Sequence, residues 1–444
     1  MTIPAPEALR RNVGLLGVVM FGAGTAIGVS IFSVLQPAAE IAGSGLLIAI
    51  AISMAPMLLF ATVYAWLASI APTSGASYEW PRRFLSPVVG FAIAWLRIIS
   101  NVGAIVILAR VLTNYLSMVF PIAPTPVIVG ILTLVFALNL IGVAVAARLQ
   151  VILMLALIAV LALFVVSGVP LVSEARIGPL VTDGFGPIIA AVPLLISLFL
   201  GIESAVEIGD EVRSPERTIP LGIALAILLT ALVYSAVAAT ALGLIGPQAL
   251  AISKAPLLDA AIRPLGRLAL PIIVGAATVS IVKAINATAL IFSRSIYAMA
   301  AKHALPPALA AIHPRFGTPY RAVIACYLAA LAGLLMPPSL IFLLLAINIP
   351  TMLKYIACSL CAARVAANDP DLASSSRLRI GRRTITLVSW SAVVAGIVII
   401  LAGIESDWRP YCLVVGWLAV GMVFYSLYSR QHIVVTPSGP RNAL

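Results

Sequence analysis

Residues 18–36 read VVMFGAGTAIGVSIFSVLQ, and this stretch decides the fold. It is apolar enough to enter a bilayer, yet Gly22, Gly24 and Gly28 fall where a spanning helix should be continuous. At 1.5 Å per residue neither half crosses a hydrocarbon core of about 30 Å. A break at that depth frees backbone polar groups that lipid cannot satisfy, so they must line a cavity and meet water, another helix or a ligand. A discontinuous first helix therefore points to a solute-binding site.

The rest of the chain sets that stretch in a membrane. Of 444 residues, 62% are hydrophobic and 9% are charged, with a mean hydropathy of +1.15. Soluble domains carry about 25% charged residues, so a soluble globular protein is excluded. The net charge of +12 lies in short basic groups between apolar runs and forms no continuous patch. It reports topology, and no nucleic-acid partner is expected. Cys326, Cys358, Cys361 and Cys412 all fall in apolar runs, where helix packing accounts for them better than redox or metal chemistry. The N-terminus lacks a small-residue cleavage site, and no cleaved signal peptide is expected.

Apolar segments at 13–38, 44–70, 87–118, 125–146, 149–169, 186–208, 219–245, 268–300, 320–337, 339–361, 385–404 and 411–428 predict twelve transmembrane helices in an all-α integral membrane protein. With a cytoplasmic N-terminus, 18 of the 27 Lys and Arg residues fall on that side and five on the other. Arg97, Arg110, Lys283 and Lys354 remain within spans. The bias predicts a multi-pass plasma-membrane protein with both termini cytoplasmic. Residues 71–84, APTSGASYEWPRRF, read as a re-entrant or amphipathic piece, or as an ordinary loop with a basic anchor. The long polar stretch 366–384 separates ten core spans from two accessory ones.

The sixth span repeats the defect of the first. Gly201 interrupts it, Glu203 and Glu207 come next, and Asp210 and Glu211 mark the surface. The halves share no visible sequence similarity. Matched interruptions and span parity nonetheless predict a five-plus-five inverted repeat with broken helices 1 and 6. The expected divisions are a tail at 1–12, repeats at 13–169 and 186–361, a loop at 362–384, accessory spans at 385–428 and a tail at 429–444.

If the first helix resumes near Val29 or Ser30, its free amides form a receptor for a carboxylate, to which Ser30 adds a hydroxyl. The preceding half ends near Ala26 with free carbonyls that favour an ammonium. One zwitterion satisfies both ends; close helix packing is the plainer reading of the same glycines. Phe199, beside Gly201, could cover a bound substrate. Glu203 and Glu207, spaced by four, favour one side of a resumed helix. Glu203 reads as a coupling, gating or structural group and Glu207 as a structural one.

Lys283 sits near mid-span, where snorkelling is difficult. It could donate to the carbonyls of the first break or pair with Glu203, as a coupling group or as a static tie. Arg97 is expected in another interior pair. Asn286, one turn after Lys283, could satisfy irregular backbone or contact water. His303, His313 and His432 are scattered, and neither a metal nor a cofactor is expected.

These residues resemble the amino acid, polyamine and organocation transporter superfamily, in its bacterial amino acid permease branch. Residues 28–32, GVSIF, are similar to the family's Gly-Ser-Gly-Ile-Phe segment of helix 1, with Val29 and Ser30 departing from it. Pro72 with 74–78, SGASY, resembles the Pro-x-x-Gly-Gly-x-Tyr region. Residues 201–203, GIE, with 210–220, DEVRSPERTIP, resemble helix 6 and its exit. Asn286, 293–300 (SRSIYAMA), Leu305 and Pro306 resemble the end of helix 8, and 313–315 (HPR) with Thr318 and Pro319 continue that match.

The resemblance implies the five-plus-five repeat, alternating access and an amino-acid-like substrate held at helices 1 and 6. By it, Gly28, Val29 and Ser30 bind the carboxylate, and Ala26, Ile27, Phe199 and Gly201 surround the amine or close over it. Some members couple to sodium, some to protons, and others exchange substrates. In certain sodium-independent members a lysine on helix 5 occupies the sodium region; residues 149–169 contain none, and Lys283 approaches the same neighbourhood from helix 8. A proton gradient is therefore expected over sodium. Apolar surroundings favour a neutral or aliphatic substrate. The alternatives are an exchanger, a polyamine or organocation carrier using Glu203 and Glu207, and, from another class, a channel. An enzyme would need a convergent nucleophile or metal site, which the sequence lacks. Oligomeric state is left open.

Overall fold

Long runs rich in Ala, Leu, Ile and Val can satisfy their backbone inside lipid only as helices, and that is the form they take. The computed structural model describes residues 13–27, 30–141, 143–181, 184–253, 255–336, 340–402, 404 and 408–429. Among them there is no β-strand, only two isolated bridges, Val13 to Val212 and Ser74 to Ile208.

In chain order the principal helices are α1 (Leu15–Ala26), α2 (Leu35–Ala42), α3 (Leu46–Ile70), α4 (Ala76–Phe84), α5 (Pro87–Leu116), α6 (Pro124–Ile141), α7 (Val143–Gly168) and α8 (Gly186–Leu195). They continue as α9 (Pro215–Ile252), α10 (Pro256–Leu265), α11 (Ala269–Ala301), α12 (Tyr320–Gly333), α13 (Leu340–Asn368), α14 (Arg382–Ala402) and α15 (Arg409–Phe424). Ten helical stretches among the described residues are long and apolar enough to cross a membrane. Two shorter apolar helices, α1 and α12, stand at the expected first and ninth spans.

The first expected span is divided. α1 ends at Ala26, Ile27 leaves helical geometry (φ −78°, ψ 67°), and a short helix resumes at Ser30–Ser33 before α2. The sixth is divided as well. After α8 the chain tightens into a 3₁₀ turn at Ile196–Phe199, extends at Leu200, turns left-handed at Gly201 (φ 96°) and continues as 3₁₀ helix over Ile202–Glu207. The 71–84 stretch contains a helix of its own, α4.

Side-chain placement fits a lipid solvent. On α9, Leu221, Leu225, Leu228 and Leu232 are exposed at helical spacing, and Val394, Ile397, Val398 and Leu401 do the same on α14. In water such stripes would be interaction surfaces. Between helices, small residues permit close approach: a Cβ on Gly222 of α9 would collide with Val18 of α1.

The C-terminal pair is locked to the core. Trp95 Nε1 donates to the Trp417 carbonyl and Trp417 Nε1 donates to the Trp95 carbonyl, each at 2.9 Å. The two indoles stack at 5.0 Å, tying α15 to α5 two residues from Arg97. α13 packs against both α5 and α14. Arg110 on α5 donates to the carbonyls of Leu334 and Met336, satisfying the end of α12.

Candidate functional site

The two breaks face each other. A Cβ on Gly201 would lie 2.8 Å from Thr25 Cγ2, so both the left-handed backbone and the contact with α1 require glycine there. Around them opens a cavity of about 190 Å³. Thr25 and Ala26 form its wall on α1, and Leu200, Gly201 and Glu203 the wall on the sixth span. Arg97 and Asn101 on α5, Thr288 on α11, and Asn348 and Lys354 on α13 complete it. This is below the roughly 300–1,000 Å³ of drug-sized ligand sites, and admits a small solute.

The end of α1 is held by donors from two helices. Lys283 Nζ, on α11, donates to the carbonyls of Gly24 and Ile27, each at 2.6 Å, and touches Met154 Sδ of α7 at 3.5 Å. Ser280, also on α11, donates to the Ile27 carbonyl at 3.1 Å, and Tyr234 on α9 donates to the Ala26 carbonyl at 2.8 Å. Lys283 is fully buried. Of the two arrangements open to it, the structure has the contact with the break and not a pair with Glu203.

Glu203 instead binds Lys354 at 2.6 Å. The Lys354 ammonium also lies 4.5 Å from the ring centre of Tyr355. Glu207 binds Arg97 at 2.6 Å and accepts from the Ser77 hydroxyl of α4. The four-residue spacing of these carboxylates predicts one shared face on an α-helix. The segment winds at three residues per turn, so that spacing sends them to different helices, α13 and α5.

Toward the end of the bundle where α1 begins, the exit of the sixth span is stitched to its neighbours. Gly75 donates to the Glu207 carbonyl at 3.0 Å, and Ser74 N donates to Asp210 Oδ2 at 2.9 Å. Val13 donates to the Glu211 carbonyl at 3.0 Å and accepts from Arg213 N at 2.9 Å. The Glu211 carboxylate pairs with Arg294 of α11 at 3.4 Å. Burial pushes the Glu211 carboxyl above the usual carboxylate range, against the opposing pull of Arg294.

Not all of the expected site residues reach the cavity. Ala26, Gly201, Arg97 and Glu203 line it. Ile27 is fully buried under Lys283 and Ser280 and is not in the cavity wall. Phe199 is also fully buried, edge-on to Tyr234 at 6.2 Å, and Ser197 and Leu200 take the wall position expected of it. Asn286 points to α6, where it accepts from Asn139 Nδ2 at 3.1 Å. Gly28 and Val29 lie outside the described residues, and Ser30 is described only as the start of the resumed helix. Lys354, Asn101 and Tyr234 belong to the site although sequence reasoning does not single them out for it. A lysine four residues after Pro350 within an apolar span is the available signal for the first.

A broken helix pair around a small cavity is the layout of a solute carrier, and the chain matches the amino acid permease family over residues 17–416. The chain belongs to that family. It is 35% identical over 333 residues to an uncharacterized transporter of Mycobacterium tuberculosis, covering 74% of this chain and 75% of that one. It is 25% identical to the branched-chain amino acid permease BcaP of Bacillus subtilis, covering 96% and 94% of the two chains. A methylthioribose transporter of the same organism is also 25% identical, with 96% and 95% covered. The permease is thus a multi-pass membrane transporter of small molecules, not an enzyme.

Proposed function

We propose that this permease is a secondary active transporter of neutral amino acids, working by alternating access and coupled to protons. The observation that carries this reading is the Lys283 ammonium seated on the Gly24 and Ile27 carbonyls. A hard cation such as sodium binds through oxygen ligands, and an ammonium already seated on these two carbonyls disfavours a second cation beside it. A buried lysine that gains and loses its proton would tighten and release α1.

The substrate's ammonium is assigned to the carbonyl end at Ala26 and the sixth-span break, and its carboxylate to the amides at Gly28, Val29 and Ser30. The polyamine reading needs free acidic groups, and the pairing of Glu203 with Lys354 and of Glu207 with Arg97 speaks against it. Internally matched charges favour a substrate with a neutral side chain. The relative named as a branched-chain amino acid permease supports the same class.

In this reading α1 and α12 join the ten longer stretches as twelve crossings, arranged as a five-plus-five inverted repeat with two added helices. The basic-residue bias supports both termini on the cytoplasmic face of the plasma membrane, with the stitched end as the cytoplasmic seal. The test is uptake into liposomes of each labelled amino acid under imposed pH and sodium gradients. Accumulation of a neutral amino acid driven by inward protons, unchanged by sodium, is expected. Accumulation driven by sodium alone, or no gradient-driven uptake of any amino acid, would overturn the reading.

A further inference from the structure

Gln150, near the start of α7, is 1% exposed, and neither atom of its amide has a hydrogen-bond partner among the described residues. A buried amide unsatisfied at both ends is rare in native proteins and calls for a reason. Its surroundings supply one. Met154, one turn along the same face of α7, already touches Lys283 Nζ at 3.5 Å. A Cβ placed on Gly24 would stand 2.5 Å from Gln150 Nε2 and 3.6 Å from Lys283 Nζ. The idle amide and the ammonium thus converge on one glycine, from two helices that are not α1.

Both oxygen acceptors of Lys283 belong to the end of α1. Any movement that carries α1 away removes them together and leaves a buried cation with no oxygen partner, an arrangement too costly to persist. Resting on the proposed role of Lys283 in holding and releasing α1, we propose that Gln150 is a positioning residue that receives the Lys283 ammonium when α1 withdraws.

The amide suits that task. Turning end for end about its last torsion, it presents an oxygen to the ammonium. Being uncharged, it holds the proton-bearing form without fixing it, as a carboxylate would by ion pairing. It is unpartnered in the present arrangement because the carbonyls of α1 still hold the ammonium. Gly24 is the gap through which the exchange takes place, since a side chain there would strike the amide first.

The experiment reads the withdrawal of α1 without a substrate. A reporter cysteine, Val18→Cys, replaces a buried residue on α1 packed against Gly222, in a background with the exposed Cys412 changed to Ser. The purified protein, in lipid nanodiscs, is labelled with a hydrophilic maleimide. Gln150→Leu is expected to slow labelling about tenfold when Lys283 is present and to change it less than about twofold in a Lys283→Met background, the non-additivity expected of coupled residues. Gln150→Glu, which keeps an acceptor, is expected to restore labelling. Gln150→Met provides the same comparison if the Leu variant does not fold.

Equal slowing in both backgrounds, or none in either, would make Gln150 merely structural and overturn the proposal. Labelling of the reporter no faster than that of buried Cys326 would overturn it too, because α1 would not withdraw. Loss of the coupling role of Lys283 is read separately, from uptake of the Lys283→Met protein against pH, and leaves the labelling comparison to decide Gln150.

Discussion

The Lys354 ammonium lies 2.6 Å from the Glu203 carboxylate in the cavity wall, with both side chains 6% exposed. Breaking such a buried pair on one side leaves an uncompensated charge, at a cost of about 3–5 kcal/mol, whereas removing both partners is far milder. Lys354→Met is therefore expected to lower the thermal unfolding midpoint of the purified protein strongly. Lys354→Met combined with Glu203→Gln is expected to recover most of the loss. A double variant as unstable as the single one would show that Lys354 acts through packing on Tyr355 instead.

Arg97 and Glu207 form the second pair, and Glu207 also binds Ser77 of α4. Because the Glu207 carboxylate ties α4 to the sixth span, Glu207→Gln is expected to loosen that seam. A cysteine at Ala76, a position fully buried in the intact protein, should then label several-fold faster with a hydrophilic maleimide. An unchanged rate would mean that the backbone bonds from Ser74 and Gly75 suffice to hold the seam.

At Gly201 a side chain meets two obstacles, a φ of 96° and a Cβ position 2.8 Å from Thr25. The left-handed backbone alone costs about 1–3 kcal/mol for a non-glycine residue. Gly201→Ala is expected to insert into the membrane yet lose most uptake, because the two breaks can no longer face each other. Wild-type uptake by that variant would show that the close approach is dispensable.

Glu211 provides a pH dependence outside the spans. Its carboxyl is raised by burial, so the folded seam binds the proton more tightly than the unfolded chain does. That contribution is complete below the ordinary carboxylate value, about 4.3, and is lost as pH rises through the raised folded value. Unfolding midpoints measured across that window should fall with rising pH, and Glu211→Gln should flatten this limb. An unaltered slope in the variant would assign it to other groups.

How far the sequence reaches depends on whether a feature is local. Glycines interrupting an apolar run are local, and the departures at Ile27 and Gly201 fall where residues 22–28 and 201 indicate them. A lysine deep in a span is local as well, so Lys283 stands out, although its partner does not. Partner choice among Arg97, Lys283, Lys354, Glu203 and Glu207 is set by how helices pack, which no spacing rule contains. An α-helical period places Glu203 and Glu207 on one face, and the 3₁₀ winding after Gly201 separates them. Phe199 looks like a lid because it adjoins a break, but Tyr234, from a distant helix, packs edge-on against it. Gln150 draws no notice in sequence, since one amide in an apolar span means little until the carbonyls, the glycine and the ammonium around it are known.

Proton-driven uptake by Lys283→Ala protein in liposomes, using an amino acid that the wild type transports, tests the coupling most directly. The ammonium is taken to hold and release α1 through the Gly24 and Ile27 carbonyls. Normal membrane insertion is expected, with uptake abolished or its pH dependence flattened relative to the wild type. Uptake with the wild-type rate and pH dependence would contradict a coupling role for Lys283.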